Sequence, residues 1–349
     1  MSNEYPSAVI FGCSGLALTD REKAFFERVN PLGFILFARN IATPEQVKTL
    51  TQSLRETVGR DDAPILIDQE GGRVARLKTP HWRKYPPMRV FGDMYADNAP
   101  ETLDIVRDDA RLIGRDLREI GVNVDCAPVL DVPVEGSNEK ILGDRTFSRD
   151  PQTVGVLGSA FCEGLMAEGV LPVVKHMPGH GRAVVDSHFE LPVVTDDLET
   201  LKNTDFMPFR HLADAPWGMT AHVLYTAVDE HNPASLSEKV LQDVIRGEIG
   251  FKGFLISDDL SMKALSGALP DLAAETLAAG CDAVLHCNGD MDEMDMIASA
   301  VEPLSARAME RYIRGRDMCG AASEKAAAFD YEAARLRLMR KTAVMNECA

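Results

Sequence analysis

Residues 170–181 read Val-Leu-Pro-Val-Val-Lys-His-Met-Pro-Gly-His-Gly. The segment 170–175 (VLPVVK) is a short run rich in β-branched residues that stops abruptly at ionisable ones. An apolar run without alternation suits a strand buried on both faces, as in a parallel sheet. Seven further runs share this character: 8–12 (AVIFG), 33–38 (GFILFA), 64–68 (PILID), 122–127 (VNVDCA), 217–222 (WGMTAH), 253–257 (GFLIS) and 281–286 (CDAVLH). Helical patterns separate them. Thr43-Pro-Glu-Gln opens one with an N-cap, a first-turn proline and an acid. Apolar residues recur at helical spacing over 102–119 and 153–168. Strand–helix alternation repeated eight times predicts an α/β fold, a single closed (β/α)8 TIM barrel. An open doubly wound sheet often carries GxGxxG after its first strand, and Gly12-Cys-Ser-Gly15 does not fit that pattern. No linker or shift in composition marks a boundary, so residues 1–349 read as one catalytic domain with a helical tail over about 321–349.

The net charge of −17 argues against nucleic acid and anionic membrane surfaces as partners, since both repel an acidic chain. Simple solubility explains it as well. No apolar window approaches a membrane span, and the start Met-Ser-Asn-Glu-Tyr-Pro lacks the basic and apolar regions of a secretion signal. The seven cysteines (Cys13, Cys126, Cys162, Cys281, Cys287, Cys319 and Cys348) are odd in number and form no CxxC pair. They read as buried thiols of a reducing compartment, which predicts the cytoplasm.

In a (β/α)8 barrel the active site lies at the C-terminal ends of the strands. Polar residues crowd there: Asp68 through Arg76 after run three, Arg145 in the loop after run four, Lys175, His176, His180, Asp186 and His188 after run five, His222, Asp258, Asp259 and His286 after the others. Each also has a structural reading. Asp68 suits a turn cap, Lys175 an internal salt bridge, Arg73 and Arg76 the surface, His222 and His286 the core. One of Asp258 and Asp259 suits the N-cap of the next helix; Asp259 is the choice, which leaves Asp258 to face the barrel mouth. No metal site is expected. His176 and His180 are separated by Pro178-Gly179, and there is no HExxH. A P-loop is absent.

Six segments carry a resemblance. KHMPGHG at 175–181, DSH at 186–188, IDQEGGRVARL at 67–77, LGDRTF at 142–147, AHVLY at 221–225 and ISDDLSM at 256–262 resemble glycoside hydrolase family 3, and within it the small single-domain bacterial branch, cytoplasmic β-N-acetylglucosaminidases of cell-wall recycling. The family usually has Phe at Met177, a change of packing more than of chemistry. The resemblance implies Asp258 as nucleophile, His188 as general acid and base with Asp186 as its partner, and Asp68, Arg76, Arg145, Lys175 and His176 as ligands of the N-acetylglucosamine ring. It implies no metal or organic cofactor and no obligate protein partner. It implies a small carbohydrate substrate, a muropeptide of N-acetylglucosamine joined to anhydro-N-acetylmuramic acid.

The chemistry suits these residues. A retaining glycosidase needs a carboxylate to attack the anomeric carbon and an acid for the leaving oxygen. Imidazole titrates near neutrality, and a carboxylate two residues away can orient it. Rival readings are phosphorolysis of the same intermediate, a Schiff-base lyase on Lys175, and a sugar-binding barrel without catalysis.

Overall fold

The computed structural model describes residues 5–137, 141–187 and 189–342. Its eight barrel strands are β1 (Ser7–Gly12), β2 (Pro31–Leu36), β3 (Ile65–Ile67), β4 (Val124–Asp125), β5 (Leu171–Met177), β6 (Trp217–Thr220), β7 (Phe254–Asp259) and β8 (Ala283–His286). All pair in parallel with their sequence neighbours, and β1 pairs with β8 to close the barrel. Each strand falls within or beside one of the eight apolar runs, so the expected fold class stands.

The absence of alternation has a direct cause. Ile10, Leu66, Val173, Met219, Ile256 and Leu285 pack in one buried cluster inside the barrel. Their neighbours Phe11, Ile65, Val174, Leu255 and Val284 belong to a second cluster shared with the surrounding helices. Both faces of each strand are therefore apolar.

The helices begin where capping chemistry places them. Thr43 accepts from the Gln46 N–H to start Pro44–Val58, Asn98 caps Ala99–Glu119, and Asp150 caps Pro151–Ala167. The last two pack closely on each other around Gly164, where a Cβ would come within 2.5 Å of the Arg107 carbonyl. Helix Ala306–Lys325 covers the N-terminal end of the barrel, with Tyr312 at 6.1 Å from the rings of both Trp217 and Phe254.

The tail departs from one continuous helix. It breaks after Lys325 and resumes as Tyr331–Lys341, while 343–349 lie outside the described residues. The second piece is docked: Leu338 is buried, the Tyr331 hydroxyl donates to Glu168 at 2.6 Å, and Lys341 pairs with Glu101 at 2.6 Å. No described helix is long and apolar enough to cross a membrane.

Candidate active site

A pocket of about 500 Å³ opens at the C-terminal ends of the strands. Its wall includes Asp68, Arg76, Arg145, Lys175, His176, Asp186 and Asp258, seven of the eight residues nominated from the sequence. The eighth, His188, lies outside the described residues.

The segment after β3 folds back as a small hairpin, Gln69–Gly71 against Val74–Ala75. Gly71 and Gly72 turn it with φ of 90° and 56°, and a Cβ on Gly71 would come within 2.3 Å of the Pro86 carbonyl. The Gln69 side-chain oxygen accepts from the N–H groups of Arg76 and Leu77 at 2.9 and 3.0 Å. That turn returns Arg76 to Asp68, 2.9 Å away. Lys175 Nζ lies 2.8 Å from both Asp68 Oδ1 and Glu70 Oε1. Arg145 holds Glu70 through two parallel contacts of 2.8 Å.

Burial raises the Asp68 carboxyl pKa, but Lys175 and Arg76 outweigh it and hold the group well below the usual carboxylate range. Glu70 behaves alike: burial opposes ionisation, Arg145 and Lys175 favour it, and the result is about 2. For Lys175 burial pulls downward, Asp68 and Glu70 pull upward more strongly, and the amine stays protonated. A protonated amine is not a nucleophile, so the Schiff-base reading of Lys175 fails. Its structural reading, an internal salt bridge, describes it, and Asp68 is an ion-pair partner rather than a turn cap. Asp125 sits beneath, accepting from the Gln69 N–H at 3.0 Å, and burial pushes its carboxyl well up towards the neutral form.

Asp131 organises the segment after β5. Its Oδ2 lies 2.7 Å from His176 Nδ1, and its Oδ1 accepts from the His180 N–H at 2.6 Å. Burial works against the Asp131 charge, but His176 and His180 hold its carboxyl down at about 2. An ionised Asp131 can only accept, so the hydrogen resides on His176 Nδ1. Burial pushes the His180 imidazole down to about 4, leaving it neutral at neutral pH. The loop then passes Ser187, whose Oγ is 3.3 Å from His180 Nε2 and whose carbonyl accepts from the Ala264 N–H at 3.1 Å. Asp186, just before, lines the pocket.

At the end of β7 the two acidic residues divide. Asp259 is not a helix cap: the next helix, Leu269–Ala279, starts ten residues later behind Ala268. Asp259 instead ties a local turn, accepting from the Ser261 N–H at 3.1 Å and hydroxyl at 2.7 Å and from the Cys287 N–H at 3.2 Å. Asp258 lines the pocket and accepts from the Asp259 N–H at 2.8 Å. Burial opposes its charge, but His176, His222, that N–H and Lys175 outweigh it, so its carboxyl is held below the usual value.

His222 and His286 are wholly buried and do not line the pocket. His222 is held by Ser235 Oγ at 2.7 Å and the Asp259 carbonyl at 3.0 Å. Arg73 is a surface residue paired with Asp144 at 3.2 Å. No group of potential metal ligands occurs among the described residues. Sequence reasoning did not nominate Glu70 and Asp131. Glu70 was in view inside the IDQEGG stretch, and Asp131 ends the apolar segment 127–131 (APVLD) as other site residues end theirs.

Residues 17–314 match the Glycosyl hydrolase family 3 N terminal domain. A protein of Nitrosomonas eutropha named beta-hexosaminidase is 38% identical over 293 residues, covering 83% of this chain and 82% of that protein. Another so named, from Chromobacterium violaceum, is 37% identical over 88% of this chain and 85% of its own length. Among solved structures, NagZ from Neisseria gonorrhoeae in complex with N-trifluoroacetyl-D-glucosamine superposes with a TM-score of 0.85 at 30% identity, covering 97% of this chain and 98% of that one. A family 3 β-N-acetylglucosaminidase from a Paenibacillus strain gives 0.81 at 30% identity, over 96% of this chain and 67% of that one.

Proposed function

The chain belongs to glycoside hydrolase family 3, and from that premise we propose that it is a retaining exo-β-N-acetylhexosaminidase that releases terminal β-linked N-acetylglucosamine. The observation that carries this reading is Asp258: a half-buried carboxylate held in its ionised form, lining the pocket, with no cation in salt-bridge contact among the described residues. An ionised, unpaired carboxylate suits attack on an anomeric carbon.

In this reading Asp258 attacks the anomeric carbon as His188 gives its proton to the leaving oxygen, with Asp186 orienting the imidazole. The same imidazole then draws a proton from water, which opens the glycosyl-enzyme and restores the configuration. Asp68, Arg76, Arg145, Lys175 and His176 hold the ring. Their ion pairs with one another and with Glu70 and Asp131 fix each donor before a neutral sugar enters, so little reorganisation is needed on binding. The N-trifluoroacetyl-D-glucosamine bound to the gonococcal relative supports an N-acylglucosamine in this pocket.

We extend the proposal to a muropeptide substrate, N-acetylglucosamine joined to anhydro-N-acetylmuramic acid, cleaved in the cytoplasm during cell-wall recycling by residues 1–349 acting as one catalytic domain. Parallel assays on 4-nitrophenyl β-N-acetylglucosaminide and the matching β-glucoside test the sugar assignment. Strong preference for the acetamido sugar supports it, and preference for the β-glucoside overturns it. Product analysis with and without phosphate separates hydrolysis from phosphorolysis.

A further inference from the structure

Among the described residues, one cation of the pocket wall has no carboxylate within salt-bridge distance. Arg76, Arg145 and Lys175 share two carboxylates, Asp68 and Glu70, at 2.8–2.9 Å. Arg39, three residues beyond β2, lines the same pocket, but its partners are main-chain carbonyls. Its Nε donates to Cys13 at 2.9 Å and a terminal nitrogen donates to Cys287. Among the described residues it forms no ion pair. Carbonyls orient a guanidinium without cancelling its charge.

The group is also given a built place. A Cβ on Gly12, at the end of β1, would come within 2.8 Å of the Arg39 guanidinium and 2.2 Å of the Cys287 carbonyl. Glycine there leaves the room in which the guanidinium lies. The Phe37 ring flanks it, with its centroid 5.2 Å from the guanidinium carbon.

We infer that Arg39 is an anion-binding point of this pocket and that it receives a carboxylate on the leaving-group side of the substrate. The inference rests on the reaction proposed above. The released sugar, N-acetylglucosamine, is neutral and offers no partner for an unneutralised guanidinium. The partner therefore lies in what is attached to it, a sugar bearing a carboxylate. A chain of net charge −17 repels such a substrate at long range, and a fixed cation in the pocket counters that repulsion where the substrate docks.

The test compares kcat/KM on two disaccharides, one with N-acetylglucosamine β-linked to N-acetylmuramic acid, the other neutral diacetylchitobiose. Arg39→Met should lower the acidic-to-neutral ratio about ten-fold or more, the size of one charge-assisted contact. Lys263→Met is the comparison: Lys263 is exposed, follows the pocket residue Met262 and does not itself line the pocket. It should change the ratio less than about two-fold if the Arg39 effect is contact rather than general field. Equal losses on both substrates in Arg39→Met, or a Lys263→Met effect as large, would overturn the assignment. A folded wild type that cleaves neither disaccharide would instead overturn the reaction on which it rests.

Discussion

The Asp131 carboxylate and the His176 imidazole lie 2.7 Å apart, both out of solvent, with the proton confined to the Nδ1 side of the ring. A proton fixed there sets what His176 can offer on its other edge, so the pocket chemistry of His176 is decided by a residue 45 positions earlier. Asp131→Asn should keep the fold but lose this control, lowering kcat/KM on the order of 100-fold and altering the acid limb of the pH profile. Kinetics over pH 4–8, alongside a melting curve, check this; an unchanged profile would make Asp131 a packing residue only.

Asp258 should become covalently labelled. A 2-deoxy-2-fluoro or 5-fluoro glycosyl probe is expected to modify one peptide, with the label on Asp258 and not on Asp259, whose carboxylate is engaged by three donors of its own. The first-formed sugar should retain its β configuration by NMR. An α product would recast Asp258 as a base that activates water.

The acid-base pair predicts a dependence on the leaving group. A sugar alkoxide needs a proton as the bond breaks, whereas nitrophenolate leaves without one. His188→Ala should therefore lose about 10²–10⁴ more kcat/KM on the disaccharide than on the aryl glycoside. Asp186→Asn should show the same pattern more weakly, and Asp258→Ala no such selectivity. Equal losses on both substrates would reduce His188 to a positioning residue. His180 is then a poor substitute at neutral pH, since burial holds it near 4 and strips it of the proton.

Glu70 links stability to pH. Its carboxyl titrates at about 2 in the fold, below the unfolded value, so its contribution is complete above the unfolded value and is lost as pH falls through about 2. Glu70→Gln deprives the buried Lys175 and the half-buried Arg145 of a shared carboxylate and should cost roughly 3–5 kcal/mol near neutrality. The gap in stability between wild type and variant should narrow progressively below about pH 4.3. Denaturant melts at pH 7, 4 and 3 measure it; a gap independent of pH would show that shape, not charge, makes Glu70 matter.

What the sequence reveals of this molecule follows from how far each signal travels. A strand buried on both faces announces itself locally, and all eight do so. A side chain at a strand end is equally local, which is why Asp68, Lys175, His176 and Asp258 can be nominated and are found on one pocket wall. Glu70 and Asp131 act on Arg145 and His176, 75 and 45 residues away, and no spacing rule connects such pairs. Asp259 misleads because Asp-Asp before a helical stretch looks like a cap, while the chain spends nine residues in irregular structure before Leu269. The tail misleads because its alanines favour helix throughout, and the break at 326–330 carries neither glycine nor proline.

Glu70, Asp68, Lys175, Arg145 and Arg76 are ion-paired with one another before any ligand arrives, whereas among the described residues Asp258 is held by one main-chain N–H. For inhibitor chemistry this makes the pocket a sorter of isomers. An iminosugar with its ammonium at the anomeric position meets an unpaired carboxylate. The same ring with its nitrogen placed among the hydroxyl-binding groups confronts Lys175 and the two arginines. Affinity should follow where the positive charge sits, more than whether the molecule has one.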